Sequence, residues 1–208
     1  MLVARILYPV KTLGPGSRIG LWLCGCSHKC SGCSNPELWE RQEKYRISVE
    51  DLLKLIHSVS DNNPVDGFTI TGGDPMEQPE ELALLLPELR RISRDILVYT
   101  GYTLEELKRM RSDCIDNVLE NTAVLIDGKY IKERNNGCPL RGSDNQRVIC
   151  IDEGFRSVYE EYMRRGNEIQ NFTSGNSVIS VGIHSPDYQE QLELRLSEKN
   201  LLKGNENE

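Results

Sequence analysis

The sequence predicts an α/β fold with a mostly parallel sheet. Short runs rich in Ile, Val and aromatic residues recur along the chain, as strands do, at 2–8, 19–24, 67–71, 96–100, 123–127, 147–151 and 177–183. Several of these runs are separated by stretches with helical periodicity. Strands that alternate with helices form parallel sheets with right-handed crossovers, so this order sets the fold class.

Four stretches have the pattern of amphipathic helices: 48–59, 78–92, 103–110 and 155–165. Ser48 is a predicted N-cap of the first, and Thr103 caps the third with Glu106 at the capping-box position. In the second stretch Pro79 suits a first helical turn, whereas Pro87 predicts an interior kink or break. The stretch 164–177 reads as a loop.

Length and composition indicate one domain with an appendage. The chain has 208 residues, which is enough to bury a single sizeable core. We expect a core over 1–152 and an extension over 153–208 that completes the sheet and ends in a frayed polar tail.

Charge and hydropathy exclude several classes of partner. The formal net charge is −7 with 27% charged residues, and the basic residues are scattered, so nucleic acid is not an expected partner. Arg5, Pro9 and Lys11 interrupt the first apolar run too early for a signal peptide, and no later run approaches transmembrane length. We therefore expect a cytoplasmic protein without membrane contact.

Four of the seven cysteines lie within the ten residues "CGCSHKCSGC". In a reducing compartment such a group indicates metal binding before a disulfide framework, and the odd number also argues against one. Cys26, Cys30 and Cys33 form C-x3-C-x2-C, with Cys24 two residues upstream. Four thiolates would close a zinc site or a conventional iron–sulfur cluster, whereas three would leave an iron free. Because Cys24 ends an apolar strand, where a free Cys behaves as a small hydrophobe, we favour three.

The cysteine group and three other motifs each follow a predicted strand. "TGGDP" follows 67–71, "TGY" follows 96–100 and "DGKY" follows 123–127. Taken singly, the glycine motifs read as ordinary turns. The carboxyl ends of parallel strands meet at one edge of a sheet, where α/β proteins build their ligand sites. The four motifs should therefore converge on one site.

The remaining polar candidates give weaker indications. The segment "PLRGSDNQRVI", 139–149, places many hydrogen-bonding side chains before an apolar strand, although a solvated loop tolerates the same composition. The histidines are poor candidates for the site. His28 lies inside the cysteine loop, where it is a possible ligand, but we expect it to face solvent. We expect His57 to lie on a helix and His184 to end the last strand.

The ordered set of motifs resembles a known family. The segment 14–39, "GPGSRIGLWLCGCSHKCSGCSNPELW", followed by "TGGDP", "YTGY", "DGKY" and "LRGSDNQRVI", is similar to the radical S-adenosylmethionine (radical SAM) activases of glycyl radical enzymes. Within that family it is most similar to the branch that activates anaerobic ribonucleotide reductase. The resemblance runs from about Gly14 to Ile151 and implies a partial (open) parallel β/α barrel of the radical SAM type.

The resemblance also implies roles for particular residues. Cys26, Cys30 and Cys33 would ligate three irons of a 4Fe-4S cluster, and the fourth iron would chelate the amino and carboxylate groups of S-adenosylmethionine. The motif Gly72, Gly73 and Asp74 would hold the methionine amino end. The rest of the cofactor or substrate site would be lined by Thr100, Asp127, Arg141, Ser143, Asn145 and Gln146.

The implied activity is reductive cleavage of S-adenosylmethionine, followed by hydrogen abstraction from a glycine of a large glycyl radical enzyme. A flavodoxin- or ferredoxin-type protein would supply the electron. Two alternatives stay open from the sequence. One is a radical SAM enzyme that acts on another peptide or a small molecule and uses the chain after Asp152 for recognition. The other is a zinc-stapled binding module that uses Cys24 with the three other cysteines.

Overall fold

A six-stranded sheet forms the centre of the computed structural model, which describes residues 1–175 and 177–198. Its strands lie in sequence order: β1 (Val3–Val10), β2 (Arg18–Leu23), β3 (Gly67–Gly72), β4 (Ile96–Tyr99), β5 (Val124–Asp127) and β6 (Arg147–Cys150). The four central strands β2 to β5 are parallel to one another, and β1 and β6 pair antiparallel at the two edges. The molecule is therefore α/β with a mostly parallel sheet. The open barrel of the radical SAM type stays a prediction.

In the part of the chain that the structure describes, six α-helices accompany the strands: α1 (Val49–Ser60), α2 (Pro79–Ile92), α3 (Leu104–Arg109), α4 (Asp113–Glu120), α5 (Arg156–Met163) and α6 (Tyr188–Glu198). Short 3-10 turns occur at Pro36–Leu38, Glu43–Tyr45, Pro75–Glu77, Lys132–Arg134 and Glu153–Phe155. Helix α1 begins as predicted, because the Ser48 side chain accepts a hydrogen bond from the Asp51 amide. Thr103 and Glu106 form the predicted capping box of α3.

Pro87 lies inside α2, and the helix continues through it. Of the predicted kink or break, the break is therefore absent, and the kink stays a prediction. Leu82, Leu85, Leu86 and Leu89 are fully buried on this helix. Their packing holds the helix together across the backbone hydrogen bond that a proline cannot donate.

The C-terminal extension differs from its prediction. β7 (Ile169–Ser174) falls within the predicted loop and pairs antiparallel with β8 (Ser177–Gly182). These two strands form a separate two-stranded sheet, so the extension does not complete the central one. The predicted frayed tail, 199–208, lies outside the described residues.

Of three apolar clusters that lie against the sheet, two matter most for the position of the site. The larger one joins the central strands to helices α1 to α4. Another cluster contains Val10, Leu13, Trp22 and Leu38 together with Val181 of β8. Because this cluster includes a residue of the C-terminal hairpin, the hairpin covers part of the sheet. None of the helices among the described residues is long and apolar enough to span a membrane.

Candidate metal centre

The carboxyl ends of the four parallel strands open into one cavity of about 210 Å³. The cysteine loop follows β2, Gly72 ends β3 and Gly73 follows it, Thr100 follows β4 and Gly128 follows β5, and all of these segments line the cavity. Residues that are far apart in the sequence thus meet because parallel strands bring their carboxyl ends to one edge. The convergence expected from the sequence is present.

Three of the four clustered cysteines line this cavity: Cys26, Cys30 and Cys33. Each is half-buried and in the free thiol form. The loop that carries them is tied down by two backbone hydrogen bonds of 2.8 Å, from Gly25 N to Leu38 O and from Cys26 N to Trp39 O. The three thiols therefore face a common space on an anchored loop.

Cys24 is separate from these three. It is fully buried at the end of β2, and its Sγ donates to the carbonyl oxygen of Glu40 at 3.0 Å. A four-thiolate zinc site would require this thiol to leave the core and its hydrogen bond. The geometry thus favours a centre that uses Cys26, Cys30 and Cys33 without Cys24.

The three thiols of the cavity do not meet as a ready-made site for one metal ion. Among the described residues, no three His, Cys, Asp or Glu side chains converge tightly enough to hold one metal ion. Thiolates of a cubane cluster each bind a different iron and need no such convergence. Burial raises the pKa of the Cys26 and Cys30 thiols above the usual 9.0, so iron would have to stabilise their thiolate forms.

The glycines after β3 pack directly on the cysteine loop. Gly73 N donates to Leu23 O at 2.7 Å, and Asp74 N donates to Gly25 O at 2.8 Å. A Cβ atom on Gly73 would lie 2.3 Å from the Gly25 carbonyl oxygen, so no other residue fits without a shift. The close approach of these two backbones fixes the distance between the thiols and the Gly72–Gly73 edge of the cavity.

Asp74 holds this edge together. Its carboxylate is 1% exposed and accepts hydrogen bonds from the Thr100 hydroxyl at 2.9 Å, the Gly101 amide at 2.8 Å and the Met76 amide at 2.9 Å. These protein groups occupy most of the acceptor sites of the carboxylate. Asp74 therefore ties the end of β3 to the end of β4, and its main contacts are with the protein itself.

His28 lies inside the site, so the expectation that it faces solvent is wrong. Its side chain is 6% exposed, and the ring lies directly over Gly101, where a Cβ would come within 2.3 Å. The ring also meets Tyr102 edge-on, with 4.5 Å between the centroids. His28 Nε2 is 2.9 Å from the Asp74 carboxylate, but the angles of a hydrogen bond are not met and the nitrogen has no hydrogen-bond partner.

The structure brings only some of the other predicted residues to the cavity. Gly72, Gly73, Asp74, Thr100 and Gln146 line it, whereas Asp127, Arg141, Ser143 and Asn145 do not. The latter four are used in local structure. Asp127 pairs with Arg147 and caps α3 through the Leu104 amide, and the others bond to backbone groups within 129–146.

Several lining residues were not predicted from the sequence: Trp39, Tyr99, Tyr130, Asn135 and the segment 180–184 of the hairpin. Trp39 follows the cysteine loop closely and Tyr99 immediately precedes the "TGY" motif, so their positions next to these motifs indicate both residues as candidates. The hairpin segment carries no local signal, because only its tertiary approach makes it part of the site.

The cavity has the character of a site for a polar ligand. Three buried polar atoms in its lining lack a hydrogen-bond partner: His28 Nε2, Trp39 Nε1 and the Tyr99 hydroxyl. Buried polar groups without a partner are uncommon and costly. Together with the three thiols and the glycine edge, they fit an iron–sulfur cluster beside a polar cofactor.

Comparison with known proteins agrees with this arrangement. A family model described as "4Fe-4S single cluster domain" matches residues 12–149, more than half of the chain. The fold, the cysteine loop and this match define an iron–sulfur protein with one 4Fe-4S cluster domain.

The relatives specify the family further. Proteins named anaerobic ribonucleoside-triphosphate reductase-activating protein are similar to this chain in Enterobacteria phage T4 (35% identity, 71% of this chain and 94% of the relative), in Vibrio cholerae serotype O1 (37%, 68% and 93%) and in Escherichia coli K12 (33%, 68% and 94%). The chain belongs to the family of anaerobic ribonucleoside-triphosphate reductase-activating proteins.

Proposed function

We propose that this protein is a radical SAM enzyme, an oxidoreductase that activates an anaerobic ribonucleotide reductase by installing a glycyl radical on it. The observation that carries the proposal is the meeting of three cavity-facing thiols with the Gly72–Gly73 edge, while Cys24 stays in the core. Family membership supports the reductase as the partner. The cytoplasm is the proposed compartment, because the free thiols suit a reducing environment.

In this proposal the three thiolates hold the cluster and leave one of its irons without a protein ligand. A bound cluster would supply the one-electron reduction of S-adenosylmethionine, with a flavodoxin- or ferredoxin-type protein as the electron donor and a glycine of the reductase as the hydrogen donor. The residues of this chain supply the binding, the orientation and the exclusion of water.

The glycine edge would serve binding and orientation. Gly72 and Gly73 line the cavity, and because they have no side chains their backbone packs directly on Leu23 and Gly25, which would hold their main-chain groups beside the thiols for a cofactor to contact. Asp74 acts as a positioning residue, since its hydrogen bonds to Thr100 and Gly101 keep the ends of β3 and β4 in register. Trp39 Nε1 and the Tyr99 hydroxyl, which have no hydrogen-bond partner, belong to lining residues of the same cavity.

The apolar part of the cavity lining would exclude water from the reacting atoms. It contains Leu13, Trp22, Val181 and Ile183, which belong to or pack against one apolar cluster. A carbon radical reacts with almost any C–H bond, so the site must keep the wrong donors out as well as water.

The test is anaerobic reconstitution of the full chain with iron and sulfide, followed by dithionite and S-adenosylmethionine. We expect about four irons per chain, formation of deoxyadenosine, and a glycyl electron-paramagnetic-resonance signal when an anaerobic ribonucleotide reductase is added. Cys26→Ala should abolish all three, whereas Cys114→Ala, which changes a cysteine outside the cavity lining, should retain them.

Two outcomes would contradict the proposal in different ways. If the reconstituted wild-type protein forms no deoxyadenosine, the radical SAM activity is refuted. Deoxyadenosine without any glycyl signal on the reductase would instead favour a radical SAM enzyme with another peptide or a small molecule as substrate.

A further inference from the structure

The C-terminal hairpin forms one wall of the candidate site. Residues 180–184, at the end of β8 and just beyond it, line the same cavity as the three thiols. The hairpin lies beyond residue 149, where the family match ends, and about 150 residues of this chain already cover 92–94% of the relatives' length. The wall is therefore additional to the part of the chain that defines the family.

Specific contacts fix this wall to the rest of the protein. The Thr12 hydroxyl donates to the buried Val181 carbonyl at 3.0 Å. The Gln170 side chain of β7 accepts from Lys11 N at 2.9 Å and donates to Pro9 O at 2.7 Å. Val181 is 3% exposed within the cluster around Trp22. The hairpin is thus a packed wall.

A small group of three polar side chains lies on this wall. Ser180 Oγ is 2.9 Å from His184 Nε2 and 2.9 Å from the Tyr188 hydroxyl, and the His184 and Tyr188 rings are in tilted contact with 4.3 Å between their centroids. A serine hydroxyl can make three hydrogen bonds, so one remains available. No described residue hydrogen-bonds to His184 Nδ1. Ser180 and His184 thus retain hydrogen-bonding capacity at the cavity.

The protonation and charge of the cavity restrict what this group can bind. Burial lowers the pKa of His184 below the usual 6.5, so its ring is neutral at pH 7 and can donate or accept. Among the described residues that line the cavity, Asp74 alone is an acidic side chain, and no Lys or Arg is present. A phosphate group would find no cation here, whereas an uncharged peptide main chain offers the donors and acceptors that Ser180 and His184 can satisfy.

We propose that Ser180 and His184 bind the main chain of an uncharged peptide segment that enters the cavity, and that the hairpin thereby selects which hydrogen donor reaches the cluster. The inference rests on the proposed function, because it names the residues that recognise the glycine-bearing segment. It assigns this recognition to the chain's own extension.

The test measures the affinity of the full-length protein for a synthetic peptide that carries the glycine loop of the same organism's anaerobic reductase. Ser180→Ala and His184→Phe should each weaken peptide binding about threefold to tenfold, the range for loss of one hydrogen bond. Phe keeps the aromatic contact with Tyr188 and removes only the ring nitrogens. Ser180→Thr, which keeps a hydroxyl at this position, should keep the wild-type affinity.

Val178→Thr is the matched control, since Val178 is on the same strand, 65% exposed, and outside the cavity lining. Unchanged peptide affinity in both Ser180→Ala and His184→Phe overturns the proposal, as does an equal loss in Val178→Thr. ATP serves as the competing probe. If the two variants lose ATP binding and keep peptide binding, the wall recognises a nucleotide and the proposal is wrong.

The two proposals fail independently of each other. Absence of deoxyadenosine from the reconstituted wild type refutes the radical reaction, while the peptide affinities still report on the hairpin. Formation of deoxyadenosine together with unchanged affinities in the variants refutes only the role of Ser180 and His184. Should Ser180→Ala fail to fold by circular dichroism, His184→Phe and Ser180→Thr decide the outcome.

Discussion

Tyr159 donates a 2.6 Å hydrogen bond to the carboxylate of Asp95. Asp95 precedes β4, and the same carboxylate pairs with the fully buried Arg18 at 2.6 Å. Tyr159 lies on α5, which begins after the domain boundary expected at residue 152, and its side chain is fully buried. The first helix of the extension is therefore part of the core of the molecule.

Tyr159→Phe should destabilise the protein by about 2 kcal/mol, because it removes a hydrogen bond to a charged and buried acceptor. Urea unfolding followed by circular dichroism measures the change. Tyr45→Phe is the control, since the Tyr45 hydroxyl has no hydrogen bond in the described structure, and it should change the free energy of unfolding by less than about 0.5 kcal/mol. Equal stability of Tyr159→Phe and wild type would show that the hydrogen bond contributes nothing net.

The central strands were predictable because of where they lie. Strand β2 and most of strands β3 to β5 are buried, so continuous apolar runs mark these strands in the sequence. β7 was not predictable in this way, since Gln170, Asn171 and Thr173 interrupt its apolar residues. Its pairing with β8 and its contacts with the β1 end depend on tertiary structure.

The residues of the site also divide into those that the sequence could predict and those that depend on tertiary structure. The cysteine and glycine motifs can be recognised in the sequence, because the thiols that would bind the cluster and the glycines that allow close backbone contact are themselves the functional residues. Asp127 also follows a predicted strand and was an equally suitable candidate for the site. In the structure its carboxylate oxygens accept hydrogen bonds from the Arg147 side chain and the Leu104 amide. Ser180 and His184 approach the cavity from more than 140 residues beyond Cys33, and no local pattern specifies that approach.

Cys24→Ala should retain about four irons per chain after anaerobic reconstitution, whereas Cys33→Ala should lose the cluster. The reason is that Cys24 bonds to the Glu40 carbonyl inside the core, while Cys33 lines the cavity. Iron and sulfide analysis together with the visible absorption spectrum measures both. Loss of metal from Cys24→Ala at a preserved fold would restore the four-thiolate alternative.

Gly73→Ala should destabilise the protein by about 1–3 kcal/mol and weaken binding of S-adenosylmethionine, since its Cβ would lie 2.3 Å from Gly25 O. The clash would push the cysteine loop away from the cavity edge. Gly166→Ala is the control, because a Cβ there has no neighbour within 4 Å and no positive φ. It should leave stability unchanged or raise it slightly. Equal effects of the two variants in urea unfolding would contradict the steric argument.

Arg147 lowers the pKa of Glu105 to about 2 from the usual 4.5 through a two-pronged ion pair on the surface. A carboxylate with a depressed pKa stabilises the fold above its unfolded pKa and loses that effect as it is protonated. The difference in stability between wild type and Glu105→Gln should thus be constant above pH 4.5 and shrink as the pH falls toward 2. Urea unfolding across this range measures it, and a difference that grows on acidification would refute the pairing.

Thr12→Val should loosen the C-terminal hairpin without unfolding the sheet, because it removes the hydroxyl that satisfies the buried Val181 carbonyl. Loss of one such bond costs about 1 kcal/mol, so amide hydrogens of β8 that exchange through local opening should exchange roughly fivefold faster, while those of β3 and β4 keep their wild-type rates. Thr173→Val is the control, as Thr173 is exposed on β7 and its hydroxyl has no partner in the described structure. If Thr12→Val accelerates exchange equally in β3, then the hairpin opens only with the whole molecule, and the expected local effect is refuted.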